Sequence, residues 1–526
     1  MLNTDLESHY RKIANPAILM IVAAALVWEL SKWIVAGNLT DLGAVAIVGA
    51  GIAFCIALLK DWRYGVYCFF IWIVFEDLIR KFTGNGTAMF FAKDLIIGLT
   101  YGLMMIAFRR RPIMFKASFF LWLGIFFFVG LLQVFNPNSP SVFYGLLGLK
   151  LYFYYVPLMF AGYALLRSEA DLYKILMLNT WIALVVAGLG VAQSILGLSF
   201  LNPTDLAPEL VTLGRETRTT PVTNLRVERI TSVYVSDGRF AEALILFFIL
   251  GCGTAGYLLM RTKRGRKVIF PTMGTVVLAA IMTGVRHCFI AIAVSTVVLV
   301  VAILWGTDHR LKQSFRIGKA IRLVLIFATL TVTIMILLFP DLIKARWALY
   351  TETLTPGAST SDLGYRAWEY PLENLASVFT QPNWQFGNGI GTASLGTQYV
   401  SKFIGVPPPT FGSESGYGGL ILEFGMIGPI LFVIWMASLL ICAWRVVCKL
   451  KNTPLFPIGF AFFWYQIYIL ALGFFYGLAV YQNYLSNAYL WLTVGMLFRL
   501  PGLLAQQDSQ EKAPAASIST YATARA

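Results

Sequence analysis

The run RFAEALILFFILGCGTAGYLLM, from Arg239 to Met260, decides the fold. It has the length of about 20 residues that an apolar helix needs to cross roughly 30 Å of hydrocarbon. It is one of many. Similar runs recur at roughly 16–36, 41–59, 64–82, 88–108, 115–135, 142–166, 172–198, 239–260, 268–284, 288–306, 320–339, 416–442, 455–477 and 480–500 of the 526-residue chain. Composition agrees: 58% hydrophobic, 13% charged, mean hydropathy +0.72, where a soluble domain has about one quarter of its residues charged. In lipid only helices and closed barrels satisfy every backbone N–H and C=O. The runs are continuous rather than alternating, which excludes a barrel. The expected fold is all-α, a polytopic membrane helix bundle of about 12–14 spans.

Polar stretches divide the chain into N-terminal spans over 1–198, a first polar segment over 199–239, central spans over 240–339, a large polar segment over 340–415, C-terminal spans over 416–504 and a tail over 505–526. The tail is rich in Ala, Ser and Gln and is expected to be disordered. The first span starts at Pro16 without a small-residue cleavage site, so it reads as a retained helix. Placing Arg11 and Lys12 in the cytoplasm puts 26 of the 41 Lys and Arg on that side, which satisfies the positive-inside rule. Both chain ends are then cytoplasmic, and both polar segments face outward. The net charge of +15 is therefore mostly topology charge. It is spread over many short loops with no single stripe, which argues against a nucleic-acid partner. The Arg109–Arg111 and Arg261–Lys267 clusters suit contact with anionic membrane lipids. The six cysteines lie in or beside apolar runs without CxxC spacing, so they read as small apolar residues, not as a disulfide or metal framework.

Several ionisable groups lie inside spans: Glu76, Asp77, Arg80 and Lys81 in the third, Lys93 and Asp94 in the fourth, and Lys150 in the sixth. Each costs about 2.5–3.5 kcal/mol at a span centre on insertion scales. Either they pair or snorkel toward the surface, or they line an outward-facing cavity.

The first polar segment carries Arg215, Arg218, Arg226, Arg229 and Arg239, with Glu209, Glu216, Glu228 and Asp237. Five arginines on the outer side oppose the topological bias, and the planar guanidinium fork suits phosphate oxygens. Arg229 and Arg239 stand nearest the next span and are the two expected to face a cavity. Between two later spans, Thr283-Gly284-Val285-Arg286-His287 makes a tight hairpin. A loop so short needs no arginine for solubility, so Arg286 reads as functional. His287 is either a base near neutral pH or a polar loop residue.

The large segment opens on a helix around Asp341–Trp347 and continues through an amphipathic stretch from Asp362 to Val378 that holds Arg366, Trp368, Glu369 and Glu373. Next comes Phe386-Gly387-Asn388-Gly389-Ile390-Gly391-Thr392. Such glycines either let backbone N–H groups approach an anion or make a tight turn. The Lys-Ser/Thr of a Walker loop is missing. The segment closes on Ser413-Glu414-Ser415-Gly416-Tyr417 at the mouth of the next span. Glu414 is either a helix cap or a base acting on a bound hydroxyl. Arg239, Lys150, Gly389, Gly391 and Tyr417 are candidate cavity-lining residues. The outer segments hold no Asp-x-Asp pair, so the sequence gives no reason to invoke a metal.

Five pieces of this text resemble the O-antigen ligase and polymerase superfamily: Arg229-Ile230-Thr231-Ser232, Thr283-Gly284-Val285-Arg286, Gly364-Tyr365-Arg366-Ala367-Trp368, Gly387-Asn388-Gly389-Ile390-Gly391, and Glu414-Ser415-Gly416-Tyr417 leading into Leu422-Glu423-Phe424-Gly425-Met426-Ile427-Gly428. They cover roughly 226–436. The resemblance implies a GT-C-like enzyme of the bacterial inner membrane, needing no metal or other cofactor. Such an enzyme transfers glycan from an undecaprenyl-pyrophosphate-linked oligosaccharide to an acceptor hydroxyl at the outer face. It implies donor-pyrophosphate binding by Arg286, Arg229 and Arg366, and a proton acceptor at Glu414 or His287. Partners would be the lipid-linked glycan, its acceptor and other polysaccharide assembly proteins. Ligases commonly carry histidine near the position of Glu414; glutamate here leaves room for a polymerase. A ligase acting on lipid A-core or on protein is the alternative. A transporter or flippase of an anionic lipid-linked substrate is the rival from another class, and it would call for two related halves that the sequence does not display. A non-enzymatic scaffold would have no use for Arg286 in a tight hairpin.

Overall fold

The computed structural model describes residues 56–523 except 86, 111–114, 204, 206–209, 211–216, 262–263, 308–321, 323–328, 330–332, 334–335, 356–360 and 362. The span expected at 16–36 and most of those at 41–59 and 320–339 lie outside the described residues, as do Glu209, Arg215 and Glu216.

The chain folds as helices: α1 (Arg63–Phe82), α2 (Thr87–Arg110), α3 (Phe119–Gln133), α4 (Val142–Leu165), α5 (Glu169–Leu196), α6 (Asp237–Arg261), α7 (Arg266–Met282), α8 (Arg286–Gly306), α9 (Pro340–Leu354), α10 (Tyr370–Ser377), α11 (Thr397–Ile404), α12 (Gly416–Phe424), α13 (Ile427–Lys449), α14 (Phe456–Tyr476), α15 (Leu478–Gln482) and α16 (Tyr484–Thr523). The one sheet among the described residues pairs β1 (Thr217–Thr219) with β2 (Arg226–Glu228), antiparallel, with Arg218 opposite Val227. Eight described helices are long and apolar enough to cross a membrane, and α3 is a shorter apolar helix. The protein is a multi-pass, all-α membrane bundle.

Local chemistry sets several boundaries. Ser168 and Asp171 form a reciprocal capping box at the start of α5, and Gly197 with φ 92° ends it. The spans read at 142–166 and 416–442 are not continuous helices. The first is interrupted at Tyr154–Pro157 within α4. The second breaks at Gly425 (φ 73°) into α12 and α13. A side chain at Gly425 would collide with the backbone of Gln385 and Phe386, so the 385–388 turn of the large polar segment fits into the break. Asn388 N donates to the Leu422 carbonyl (2.7 Å), and Met426 N donates to the Gln385 carbonyl (3.1 Å). Foreign backbone thus satisfies the groups that a broken helix would leave orphaned. The last helix runs through the stretch expected to be a disordered tail, as far as Thr523; alanine and glutamine there favour helix intrinsically.

Helix α6 is the axis of the bundle. Its residues from Phe240 to Gly251 are all buried. It packs on α5, α7, α8 and α14, while α16 packs on the second half of α4. Trp464 Nε1 on α14 donates to Ser295 Oγ on α8 (2.9 Å), and Cys288 Sγ on α8 lies 3.7 Å from the Ala241 carbonyl on α6. These contacts tie α8 to both α14 and α6.

The two polar segments meet at one end of this bundle. Val222 N and Thr223 Oγ1, in the β1–β2 turn, each donate to the Glu352 carboxylate of α9 at 2.7 Å. Arg346 of α9 is 4% exposed and donates to the carbonyls of Met282 (2.9 Å) and Glu228 (3.3 Å). One guanidinium therefore ties α9 to the end of α7 and to β2. This end is called the loop end below.

Candidate functional site

The first two turns of α6 hold three acidic or basic groups, each pairing in a different direction. Asp237 pairs with Arg229 (Nε to Oδ2, 2.7 Å) on the chain entering the helix. Arg239 pairs with Asp77 of α1 (2.9 Å), donates to Tyr484 Oη of α16 (3.0 Å) and lies with Cζ 4.9 Å from the Tyr484 ring centre. Glu242 accepts from Tyr468 Oη of α14 (3.1 Å) and pairs with Nε2 of His287 of α8 (3.4 Å). Neighbouring turns of one helix thus gather α1, α8, α14 and α16.

Behind Arg239 the embedded charges of the sequence form one network. Glu76 pairs with Lys93 (2.8 Å), and Asp77 with Arg80 (3.2 Å). Lys93 and Arg239 both lie 4.9 Å from the Tyr484 ring. Lys81 Nζ is held by the Ser232 carbonyl (3.1 Å). Lys150 pairs with Asp94 and packs on Phe91. The carboxylates of Glu76 and Asp77 are 0% exposed, whereas the Arg239 side chain is 30% exposed. Of the two alternatives open for these groups, the pairing is present, and Arg239 and Lys150 are the basic members least sealed from the surface.

The Thr283–His287 hairpin closes against this framework. Gly284 has φ 66°, and a Cβ there would sit 3.1 Å from Val227 Cγ1 and 3.8 Å from Arg229 Cγ. The stem of Arg229 therefore packs two residues before Arg286, the first residue of α8. Arg286 is half-buried and His287 is 51% exposed.

Arg366 and Glu414 form a second cluster through a residue the sequence did not flag. The Tyr370 hydroxyl donates to Glu414 Oε2 (2.5 Å), and the Arg366 guanidinium lies 4.6 Å from the Tyr370 ring centre. That hydrogen bond raises the Tyr370 phenol above its ordinary pKa. Ser415, not Glu414, is the cap of α12: its side chain accepts from Gly418 N. The capping role open to Glu414 is thus filled by its neighbour. Tyr476 Oη donates to the Ala367 carbonyl (3.3 Å), and Trp368 packs edge-on against Phe475. Tyr468 and Tyr476 both belong to α14, about 12 Å apart along a helix axis, so this helix carries contacts to both clusters.

The glycine run does packing work. Gly389 and Gly391 are buried with φ 97° and 87°. A side chain on Gly391 would strike the backbone of Tyr144 and Gly148, and one on Gly389 would come within 3.1 Å of the Gln133 carbonyl. Tyr417 is half-buried against Phe432 and Phe474. Beside these sits Glu423, buried, accepting from Ser394 Oγ (2.6 Å) and Ala393 N (3.0 Å). It pins the large segment to α12.

No family model and no curated protein matches this chain. The sequence reading missed Glu242, Tyr370, Tyr468 and Tyr484. Glu242 carried a legible signal: it is the single acidic residue inside the run from Arg239 to Met260, and a lone carboxylate at that depth needs a partner. Tyr468 and Tyr484 carried none, since aromatic residues in apolar spans are ordinary, and Tyr370 is one of several aromatic residues in the large polar segment.

Proposed function

We propose that the chain is a glycosyltransferase of the bacterial inner membrane. It takes glycan from an undecaprenyl-pyrophosphate carrier and passes it to an acceptor hydroxyl at the outer face, as a surface-polysaccharide polymerase with a GT-C-like bundle. The observation that carries this reading is the junction at the loop end, where the Arg229 stem packs on the Gly284 turn that presents Arg286 and His287, with Arg239 two residues after the Asp237 that pairs with Arg229. Guanidinium groups fixed at the mouth of a bundle suit a diphosphate, whose oxygens accept two parallel bonds from each fork. They stabilise the negative charge that grows on the leaving phosphate as its bond to the sugar breaks. Direct attack by the acceptor hydroxyl requires one proton acceptor, for which His287 and Glu414 are the candidates. Arg366, over the ring that bonds Glu414, supplies a further cation from the large segment. Ligation to lipid A-core or to protein uses the same donor chemistry and differs only in the acceptor.

The test is genetic and chemical. A strain lacking the protein should lose one surface glycan and accumulate its lipid-linked repeat unit. Complementation with Arg286→Ala should leave the protein in the membrane at normal abundance without restoring polymer. Normal polymer from that variant removes Arg286 from the donor site.

A further inference from the structure

Glu242 is a carboxylate set in an apolar helix, 8% exposed, with buried residues on either side along α6. A buried carboxylate demands donors or a cation. Among the described residues its polar partners are the Tyr468 hydroxyl, at 3.2 and 3.1 Å from its two oxygens, and His287 Nε2 at 3.4 Å. Tyr468 comes from inside the bundle, and His287 from the hairpin at its mouth. The inner edge of the imidazole therefore lies within ion-pair distance of the carboxylate, while half of the side chain stays open. Nearby lie Arg286 and Cys288 on the same helix, Arg229 at the Gly284 turn, and Tyr350 of α9, whose ring stacks on Phe289.

We propose that Glu242 and His287 are a proton-accepting pair: Glu242 holds the Nε2 edge of the ring inward and leaves Nδ1 turned outward, next to Arg286, for the acceptor hydroxyl. This rests on the glycosyl-transfer reading above. In the step, the hydroxyl proton passes to the Nδ1 lone pair as the oxygen bonds the anomeric carbon. The bond from that carbon to the phosphate oxygen breaks, its electron pair leaves with the diphosphate, and the imidazolium later returns its proton to water. His287 is the catalytic group; Glu242 is a positioning residue that fixes the tautomer, the role that a carboxylate behind a catalytic imidazole commonly plays. Glu414 is placed differently. Its carboxylate already accepts the Tyr370 hydroxyl and stands exposed on the large segment, without a buried group to orient it.

The test uses the full chain reconstituted in phosphatidylethanolamine–phosphatidylglycerol vesicles with a synthetic undecaprenyl-pyrophosphate oligosaccharide as donor. His287→Ala should lower kcat about 100-fold or more, the range for loss of a general base, and added imidazole should restore a large part of it. Glu242→Gln keeps a partner for Tyr468 and should fold; it should lower kcat about tenfold with KM for the donor unchanged, as expected when only orientation is lost. Wild-type turnover by His287→Ala overturns the pair while leaving the transfer reading intact. So does a loss that imidazole does not restore, or a Glu242→Gln defect confined to KM. A wild-type protein that transfers no lipid-linked glycan overturns the transfer reading and the pair with it.

Discussion

The two ends of the bundle treat charge in opposite ways. At the end away from the polar segments, Asp61 faces Arg63 (3.1 Å) and Arg167 (3.3 Å), and Glu169 faces Arg261 (3.1 Å). These pairs sit on connections and helix termini, with Arg167 and Arg261 largely open to solvent. At the loop end, Glu76, Asp77, Arg80 and Lys93 are sealed inside α1 and α2, where they pair with one another, and Asp77 also pairs with Arg239 of α6, which donates to Tyr484 of α16. Exposed pairs are worth about 0–1 kcal/mol and follow from topology alone. Sealed pairs at membrane depth cost several kcal/mol per ion to desolvate. A bundle that needed only to span would carry the first kind. Under the glycosyl-transfer proposal, the second kind supplies the fixed field that an anionic donor would meet.

This contrast can be broken by substitution. Asp77→Ala should have the largest effect: it strands Arg80 and Arg239 without their shared carboxylate, and losing one partner of a buried pair costs about 3–5 kcal/mol. The midpoint for loss of monodisperse protein on heating in detergent should fall steeply. Arg346→Met keeps the stem and removes the bonds to the Met282 and Glu228 carbonyls; about 2 kcal/mol should be lost, read as faster proteolysis within 217–228.

Glu352→Gln should have a smaller, local effect. Desolvation raises this carboxyl, but the bonds from Thr223 Oγ1 and from the Val222 and Thr223 amides outweigh it and hold its pKa below the ordinary value of 4.5. A depressed carboxyl stabilises the fold above its unfolded pKa and stops doing so as pH falls through the folded value. The attachment of the β1–β2 turn should therefore loosen below about pH 4.5, seen as lost protection of the Val222 and Thr223 amides beyond the intrinsic pH effect on exchange. Glu169→Gln, at the opposite end, should move stability by less than about 1 kcal/mol and leave glycan transfer untouched. An effect there as large as that of Asp77→Ala would erase the distinction between the two ends.

Much of the bundle was legible in the sequence because membrane spans are written in length and apolarity, and α6, α8 and α14 follow the text closely. What sequence could not supply was where helices break. Gly425 reads as one more small residue in a span, and only the 385–388 turn lying across it explains the interruption. The site was half legible. Arg229, Arg239, Arg286 and His287 stood out because charge is rare in such a chain. Their partners did not: Tyr468 and Tyr484 look like ordinary span residues, and Asp77 lies 162 positions from the arginine it holds. The glycine run was ambiguous because an anion cradle and a packing turn use the same residue, and only the Tyr144 and Gly148 backbone pressed against Gly391 distinguishes them.

The break at Gly425 bears on how the protein is made. The turn that fills it, 385–388, leaves the ribosome before α12 and α13 do. The plug therefore exists before its socket, and the interrupted span never has to wait in lipid with bare carbonyls for a later piece of chain. A circular permutant that moved 385–388 behind α13 would reverse that order and should be caught by membrane quality control, even though its finished contacts would be the same.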